Sequence, residues 1–122
     1  MNVYDEAHSL TRAIKESEEY KQYMEAKNKI AGNEQLDKML KDFQTQQFKI
    51  QSKQMTGEEI TDEMQEQIQK LYGIIVQDPL AAQYLQCELR FSMMMNDVYK
   101  ILGEAVLSEE ELAAAREAEA KL

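Results

Sequence analysis

The fold of this chain is decided by residues 79–106, which read PLAAQYLQCELRFSMMMNDVYKILGEAV. Apolar side chains recur in this stretch every three or four residues, the spacing that aligns them along one side of an α-helix. Asp78 and Pro79 supply an N-cap and a first-turn proline, which predicts that the helix begins here. The main apolar stripe comprises Leu80, Tyr84, Cys87, Phe91, Met94, Val98, Ile101 and Leu102.

A second set of apolar residues widens this stripe to one side: Ala81, Leu85, Met95, Tyr99 and Val106. Together the two sets span roughly 200° of the helix, about twice the apolar stripe of a surface helix. We therefore expect this helix to be covered on two sides.

The residues before this helix carry four more amphipathic patterns. They predict helices over residues 3–16, 18–31 and 34–56, and a fourth from Thr61 to about Ile75. Ser17 is expected to cap or bend the chain, and Asn33 and Thr61 are expected to be N-caps. A short buried strand over 74–76 is the alternative for one segment, but no partner strand is found in the sequence.

The four glycines divide into two kinds. Gly32 and Gly57 each end an apolar run, and Gly32 is expected to supply a left-handed stop. Gly73 and Gly103 lie within or near the end of such runs, where a glycine costs about 1 kcal/mol against alanine. We therefore expect close approach of another backbone at Gly73, and close packing of helices or of subunits at both positions.

Residues 108–122 form a separate acidic segment rich in alanine and glutamate. Ser108 followed by Glu111 is a capping box, which predicts a helix from Glu109 to Leu122 with little to bury. The chain is thus predicted to be all-α, with a single helical domain over residues 1–107. That domain is a bundle of about five helices with a long last core helix, followed by a projecting or frayed helical extension.

Charge and composition limit the classes of partner. The net charge of −9 argues against sequence-independent binding to nucleic acid, because that binding needs a basic surface. The charge is uneven, however: residues 21–53 carry seven lysines against four acidic residues, and residues 104–122 carry six glutamates against two basic residues. Polar helix faces exposed to solvent explain both the lysine-rich and the glutamate-rich segment. The alternative is an RNA-associated factor that uses the lysines of the third helix, namely Lys38, Lys41, Lys49 and Lys53.

Membrane insertion and secretion are not indicated. No segment approaches the roughly 18 apolar residues of a membrane span, and the acidic Asp5 and Glu6 do not fit a signal peptide. We therefore expect a cytoplasmic protein without a membrane partner.

Catalytic or metal-binding motifs are not found in the sequence. His8 is the single histidine and is expected at an exposed helix edge, while Cys87 is the single cysteine and is expected in a core or interface. A lone cysteine cannot form an internal disulfide or build a zinc or cluster site within one chain. We therefore expect no enzyme activity, no catalytic or metal-binding residue and no cofactor.

An interaction surface is the remaining candidate site. Met93 and Leu89 lie on the polar side of the long helix, and Phe48 and Met55 form a second apolar edge on the third helix. Packing within an oligomer is the alternative explanation. The candidate interface residues are Phe48, Met55, Leu85, Leu89, Met93, Met95 and Tyr99.

Several short segments resemble one family. They are SEEYK at 17–21, GNEQL at 32–36, KDFQ at 41–44, DPL at 78–80, RFSM at 90–93 and DVYKI at 97–101. Over residues 1–107 the chain resembles the YlbF/YmcA family of Firmicutes bacteria, most closely its YheA branch.

The resemblance implies a YmcA-like helical bundle that forms a homodimer or a larger homo-oligomer. It also implies a regulatory role, because the YlbF and YmcA proteins join a third protein in a complex that influences endoribonuclease Y, mRNA processing, competence, sporulation and biofilm formation. Those relatives hold an iron-sulfur cluster through cysteines. This chain departs from them there, having only Cys87, so the cluster is not carried over. The expected function is a non-enzymatic adaptor or regulator with protein partners.

Overall fold

The computed structural model describes residues 1–120, and these form six α-helices and no β-strand. The helices are α1 (Val3–Glu16), α2 (Glu18–Ala31), α3 (Glu34–Thr56), α4 (Asp62–Ile75), α5 (Pro79–Gly103) and α6 (Glu109–Ala120). The all-α prediction is confirmed. The long helix is three residues shorter than predicted, because residues 104–107 form a turn in place of helix.

Short polar side chains set the helix starts, as the sequence predicts. The Asn33 side-chain oxygen accepts a hydrogen bond from the Leu36 amide at 3.1 Å, and Thr61 Oγ1 accepts one from Met64 at 3.2 Å. Asp78 Oδ1 accepts from the second and third residues of α5, at 2.9 and 3.3 Å. These bonds satisfy amide groups that have no partner inside the helix.

Ser17 separates α1 from α2. Its backbone is extended, at φ −69° and ψ 151°, and its hydroxyl accepts a hydrogen bond from the Tyr20 amide at 3.2 Å. The one residue therefore ends the first helix and caps the second. As a result, α1 does not continue α2 as one helix, and none of its residues is buried in the core.

The core occupies one end of the bundle, where α2 turns into α3 and α4 turns into α5. Its buried members are Ala26, Ile30, Leu36, Leu40, Phe43, Ile75, Ala81, Tyr84 and Cys87. Helix α2 packs along α5, and α3 pairs with α4. The α2–α5 contact extends outward through the ring of Tyr23, which stacks on Phe91 with ring centroids 5.1 Å apart.

The apolar stripe of α5 is buried only near its start. Ala81, Tyr84 and Cys87 lie in the core, whereas Ile101 is 63% exposed and Leu102 is 52% exposed. Within this chain, the cover expected for α5 is therefore present over its first half only, and cover of the second half stays a prediction.

Gly32 ends α2 as expected, but its expected left-handed backbone is wrong, and this chain alone shows no close packing at Gly73 or Gly103. Gly32 has φ −74°, so its backbone is right-handed. The next helix begins directly after it, because Asn33 caps α3. Only Gly57 adopts the left-handed conformation, at φ 75°. A Cβ built on Gly73 or Gly103 would have no neighbouring atom within 4 Å, so the chain makes no close approach there.

Helix α6 turns back along the end of α5. Ser108 Oγ accepts a hydrogen bond from the Glu111 amide at 3.2 Å, which is the cap that the sequence predicts. Glu119 forms an ion pair with Lys100, and Arg116 lies 3.9 Å from a Glu104 carboxylate oxygen. The last two residues of the predicted helix, 121 and 122, lie outside the described residues.

Candidate interaction surface

The outer side of α5 carries a row of three apolar side chains one turn apart. Leu85 is half-buried and packs against the core, whereas Leu89 is 61% exposed and Met93 is 59% exposed. Side chains four residues apart on a helix are neighbours, so these three form one continuous strip. Its outer two members are free in this chain to contact another protein.

Met95 and Tyr99 form a second row on α5, again one turn apart. Met95 is half-buried and Tyr99 is exposed. This row lies beside the main apolar stripe, roughly 120° around the helix from the row of Leu85, Leu89 and Met93.

Phe48 and Met55 are exposed on the second half of α3. The first half of α3 is the part that contacts α5. There Gln44 Nε2 donates hydrogen bonds to Tyr84 Oη and to a Glu88 carboxylate oxygen, each at 3.3 Å. The seven predicted interface residues thus occupy three rows on two helices.

Tyr84 is the polar anchor of the core. Burial of its phenol raises the pKa above the usual value near 10, the hydrogen bond from Gln44 lowers it, and the charge of Glu88 raises it again. The neutral phenol is therefore the form that the folded chain keeps, and its bond to Gln44 fixes the position of α3 relative to α5.

The lysines of the alternative RNA interpretation lie on α3, and only some are available. Lys41 is paired with Asp37 at 2.8 Å. Lys49 lines a groove between α3 and α4 together with Lys70, and Asp42 lies in the same groove. The other lining residues are Thr45, Gln46, Gln67, Leu71 and Ile74. The groove is polar and of mixed charge.

The residues considered for chemistry lie apart from one another. His8 is exposed on α1, and Cys87 is buried in the core. Within residues 1–120 there is no group of three or more histidine, cysteine, aspartate or glutamate side chains placed to hold a metal ion. None of the helices in that range has the length and apolar character needed to cross a membrane.

A large apolar surface lies away from these rows, and the seven predicted interface residues do not include it. It includes the apolar face of α1, where Val3 is 81% exposed and no residue is buried, and the second half of α5. The apolar spacing of both segments predicts a helix face that needs a neighbour, and it does not specify whether that neighbour belongs to the same chain. The width of the α5 stripe was the one signal that a single chain could not cover it.

Known proteins share this sequence and fold. The family described as "Control of competence regulator ComK, YlbF/YmcA" matches residues 3–107. A UPF0342 protein of Symbiobacterium thermophilum is 43% identical over 85% of this chain and 93% of the relative, and one of Halothermothrix orenii is 46% identical over 84% and 86%. A solved structure, a protein of unknown function (DUF964) from Bacillus stearothermophilus, has a TM-score of 0.72 at 25% identity and covers 85% of this chain and 91% of its own.

Proposed function

The chain belongs to the YlbF/YmcA family, and from this membership we propose that it is a non-enzymatic, oligomeric adaptor in a cytoplasmic regulatory complex. The family description names control of the competence regulator ComK. Control of a regulator is exerted through contact with other macromolecules, so a surface able to bind a protein is the feature that this function requires.

The observation that carries the proposal is the exposed row on α5. Leu89 and Met93 present two large apolar side chains on the side of the helix opposite the core. Methionine has a flexible, polarizable side chain that adapts to differently shaped partners, and it recurs at surfaces that bind proteins. Leu85 anchors the row, because it is held against the core.

A capture experiment with matched variants tests the adaptor function. Tagged wild-type protein is compared with a Leu89→Glu/Met93→Glu variant, and bound proteins are identified by mass spectrometry from the native cell. We expect a partner that the wild type retains and the variant loses at least about 10-fold, which corresponds to about 1.4 kcal/mol of binding.

The matched control carries the same added charge on a different helix. Gln47→Glu/Gln51→Glu changes two exposed positions one turn apart on α3 and should retain the partner. The captured partner is then purified and its binding to each variant is measured directly. Equal binding of the purified partner by the wild type and the Leu89→Glu/Met93→Glu variant would remove this row from the adaptor function.

An RNA-associated role is the second candidate, and the α3–α4 groove is the observation that favours it. Lys49 and Lys70 line this groove with two glutamine side chains, which can bond to phosphates and bases. RNA binding through these lysines should weaken steeply with salt. A mobility-shift assay at about 50 mM salt tests it: no shift, or a shift unchanged in Lys49→Gln/Lys70→Gln, would eliminate this candidate.

A further inference from the structure

We infer that a second copy of this chain covers the apolar face of α1 and the second half of α5, with α1 of each copy lying on α5 of the other. This deepens the oligomeric part of the proposed function by naming the surface and the arrangement. The surface is called the α1–α5 surface below. It comprises Val3, Ala7, Leu10 and Ile14 of α1 and Met94, Val98, Ile101 and Leu102 of α5.

Helix α1 has an apolar face that its own chain does not bury. Its four apolar residues follow spacings of four, three and four, which places them on one side of the helix. None of them is fully buried: Val3 and Ala7 are exposed, whereas Leu10 and Ile14 are half-buried. An isolated helix of this length is marginal in water, so α1 needs a neighbour on that face to be stable.

The second half of α5 also has an apolar face that no helix of its own chain covers. Helix α2 covers α5 only as far as the contact of Tyr20 with Phe91, whose ring centroids lie 5.8 Å apart, because the chain turns away at Ser17. Beyond Phe91 the stripe continues for three more turns with no buried residue. Helix α6 contacts Lys100 and Glu104, which lie on the opposite side from Leu102.

The exposed area is too large for a chain that works alone. The accessible surface is 9760 Å² for 14.2 kDa, whereas folded monomers of that mass expose about 6,800 Å². The excess of about 3,000 Å² per chain exceeds the roughly 800 Å² per partner of a standard interface, so the exposed area is ample for a stable homodimer contact.

The two halves of the surface match in size and in charge. The 14 residues of α1 span about 21 Å, and the α5 segment from Met94 to Gly103 spans about 15 Å. No charged side chain lies within either apolar row, so the contact buries no unpaired charge. A reciprocal contact of this kind closes under a two-fold axis, which satisfies both copies and leaves no free end.

The α1–α5 surface leaves the proposed partner row free. Met93 lies roughly 180° around α5 from Leu102, so a second copy on the apolar stripe does not cover Leu89 or Met93. A dimer built in this way presents two copies of the partner row, which would let it bind a regulatory partner bivalently.

Sedimentation velocity on the full chain tests the inference. The wild type should sediment at twice 14.2 kDa at micromolar concentration. Leu10→Asp and Leu102→Asp each place a carboxylate in the apolar contact, and each should raise the dimer dissociation constant at least about 100-fold. The controls His8→Asp and Asn96→Asp alter exposed positions on the other sides of the same helices and should remain dimeric.

Mixing the two variants tests the reciprocal arrangement. A dimer of one Leu10→Asp chain and one Leu102→Asp chain has one of its two α1–α5 contacts free of aspartate, so the mixture should dimerise at least about 10-fold more tightly than either variant alone. Circular dichroism checks that helix content is retained. If an aspartate variant loses it, Leu10→Ala and Leu102→Ala replace the pair, each expected to weaken dimerisation at least about 5-fold.

The possible outcomes separate this inference from the proposed function. A dimeric wild type whose mass is unchanged in all the α1 and α5 variants overturns the α1–α5 surface but leaves the oligomeric adaptor standing. A mixture that dimerises no better than either variant overturns the reciprocal arrangement. A monomeric wild type overturns both this inference and the oligomeric part of the proposed function.

Discussion

The two halves of α5 carry the same apolar repeat and yet differ in almost every structural respect. In the first half, Tyr84 and Cys87 are buried against α2, α3 and the end of α4. In the second half, Ile101 and Leu102 remain more than half exposed. Both halves are regular helix, so the difference comes from their neighbours and not from the helix itself.

The difference shows what periodicity does and does not determine. The spacing of apolar residues specifies a helix and the side that will be buried, because both are local properties. Whether that side is covered depends on how far the neighbouring helices reach, and here α2 begins only after Ser17, at the level of Phe91. The second half of α5 is therefore left uncovered by its own chain.

The largest predicted difference uses one tyrosine from each half. Tyr84→Ala removes a buried ring and should lower the free energy of unfolding by about 3–5 kcal/mol. Tyr99→Ala removes an exposed ring and should change it by no more than about 0.5 kcal/mol in dilute protein. Urea denaturation followed by circular dichroism measures both. Equal losses for the two variants would mean that the two halves are covered alike within a single chain.

The buried half of α5 also predicts a pH dependence of stability, which comes from Tyr84. Burial raises the pKa of Tyr84, so the unfolded chain releases this proton at lower pH than the folded chain does. The stabilising contribution is therefore complete below pH 10 and is lost as the pH rises above it. We expect the urea midpoint of the wild type to fall between pH 9.5 and 11, in line with a phenol whose usual pKa is about 10.

Tyr84→Phe is the matched variant for this pH effect. In this variant the urea midpoint should fall less above pH 10. The variant should also be somewhat less stable at neutral pH, because it lacks the hydrogen bond from Gln44. A variant midpoint that falls as steeply as that of the wild type would assign the alkaline loss to other groups.

A smaller effect is expected at Gly73, which lies in α4 with open space around it. Gly73→Ala should raise the free energy of unfolding by about 0.5–1 kcal/mol, because alanine loses less backbone freedom on folding. The measurement is again urea denaturation in dilute protein. A loss of stability would show that another backbone packs at this position, as the sequence alone suggested.

The smallest effect concerns α6, which lies along the end of the exposed half of α5. Lys100→Gln removes the ion pair with Glu119, both of whose side chains are exposed. Exposed pairs contribute little to stability, so the urea midpoint should not change. Limited proteolysis should nevertheless cut α6 faster than in the wild type. Unchanged cleavage would mean that this ion pair does not hold α6 in place.

The sequence could predict what is local in this fold. The caps at Asn33, Thr61 and Asp78 and the bounds of the first four helices follow from short-range hydrogen bonds and spacing. It failed at Gly32, because the neighbouring cap alone made the turn possible with a right-handed backbone. The width of the α5 stripe indicated a second cover, but the sequence could not say which half its own chain leaves exposed, because that depends on where α2 begins relative to α5. For the candidate interface, exposure of Leu89 and Met93 agrees with the helix pattern, and their binding role stays a prediction.

Hydrogen exchange across residues 94–102 at two protein concentrations tests most directly the claim that another copy covers the second half of α5. At concentrations above the dimer dissociation constant, the account predicts slow exchange there, as slow as in residues 81–87, and faster exchange on dilution while 81–87 stays protected. Exchange in residues 94–102 that is equally fast at both concentrations would contradict it.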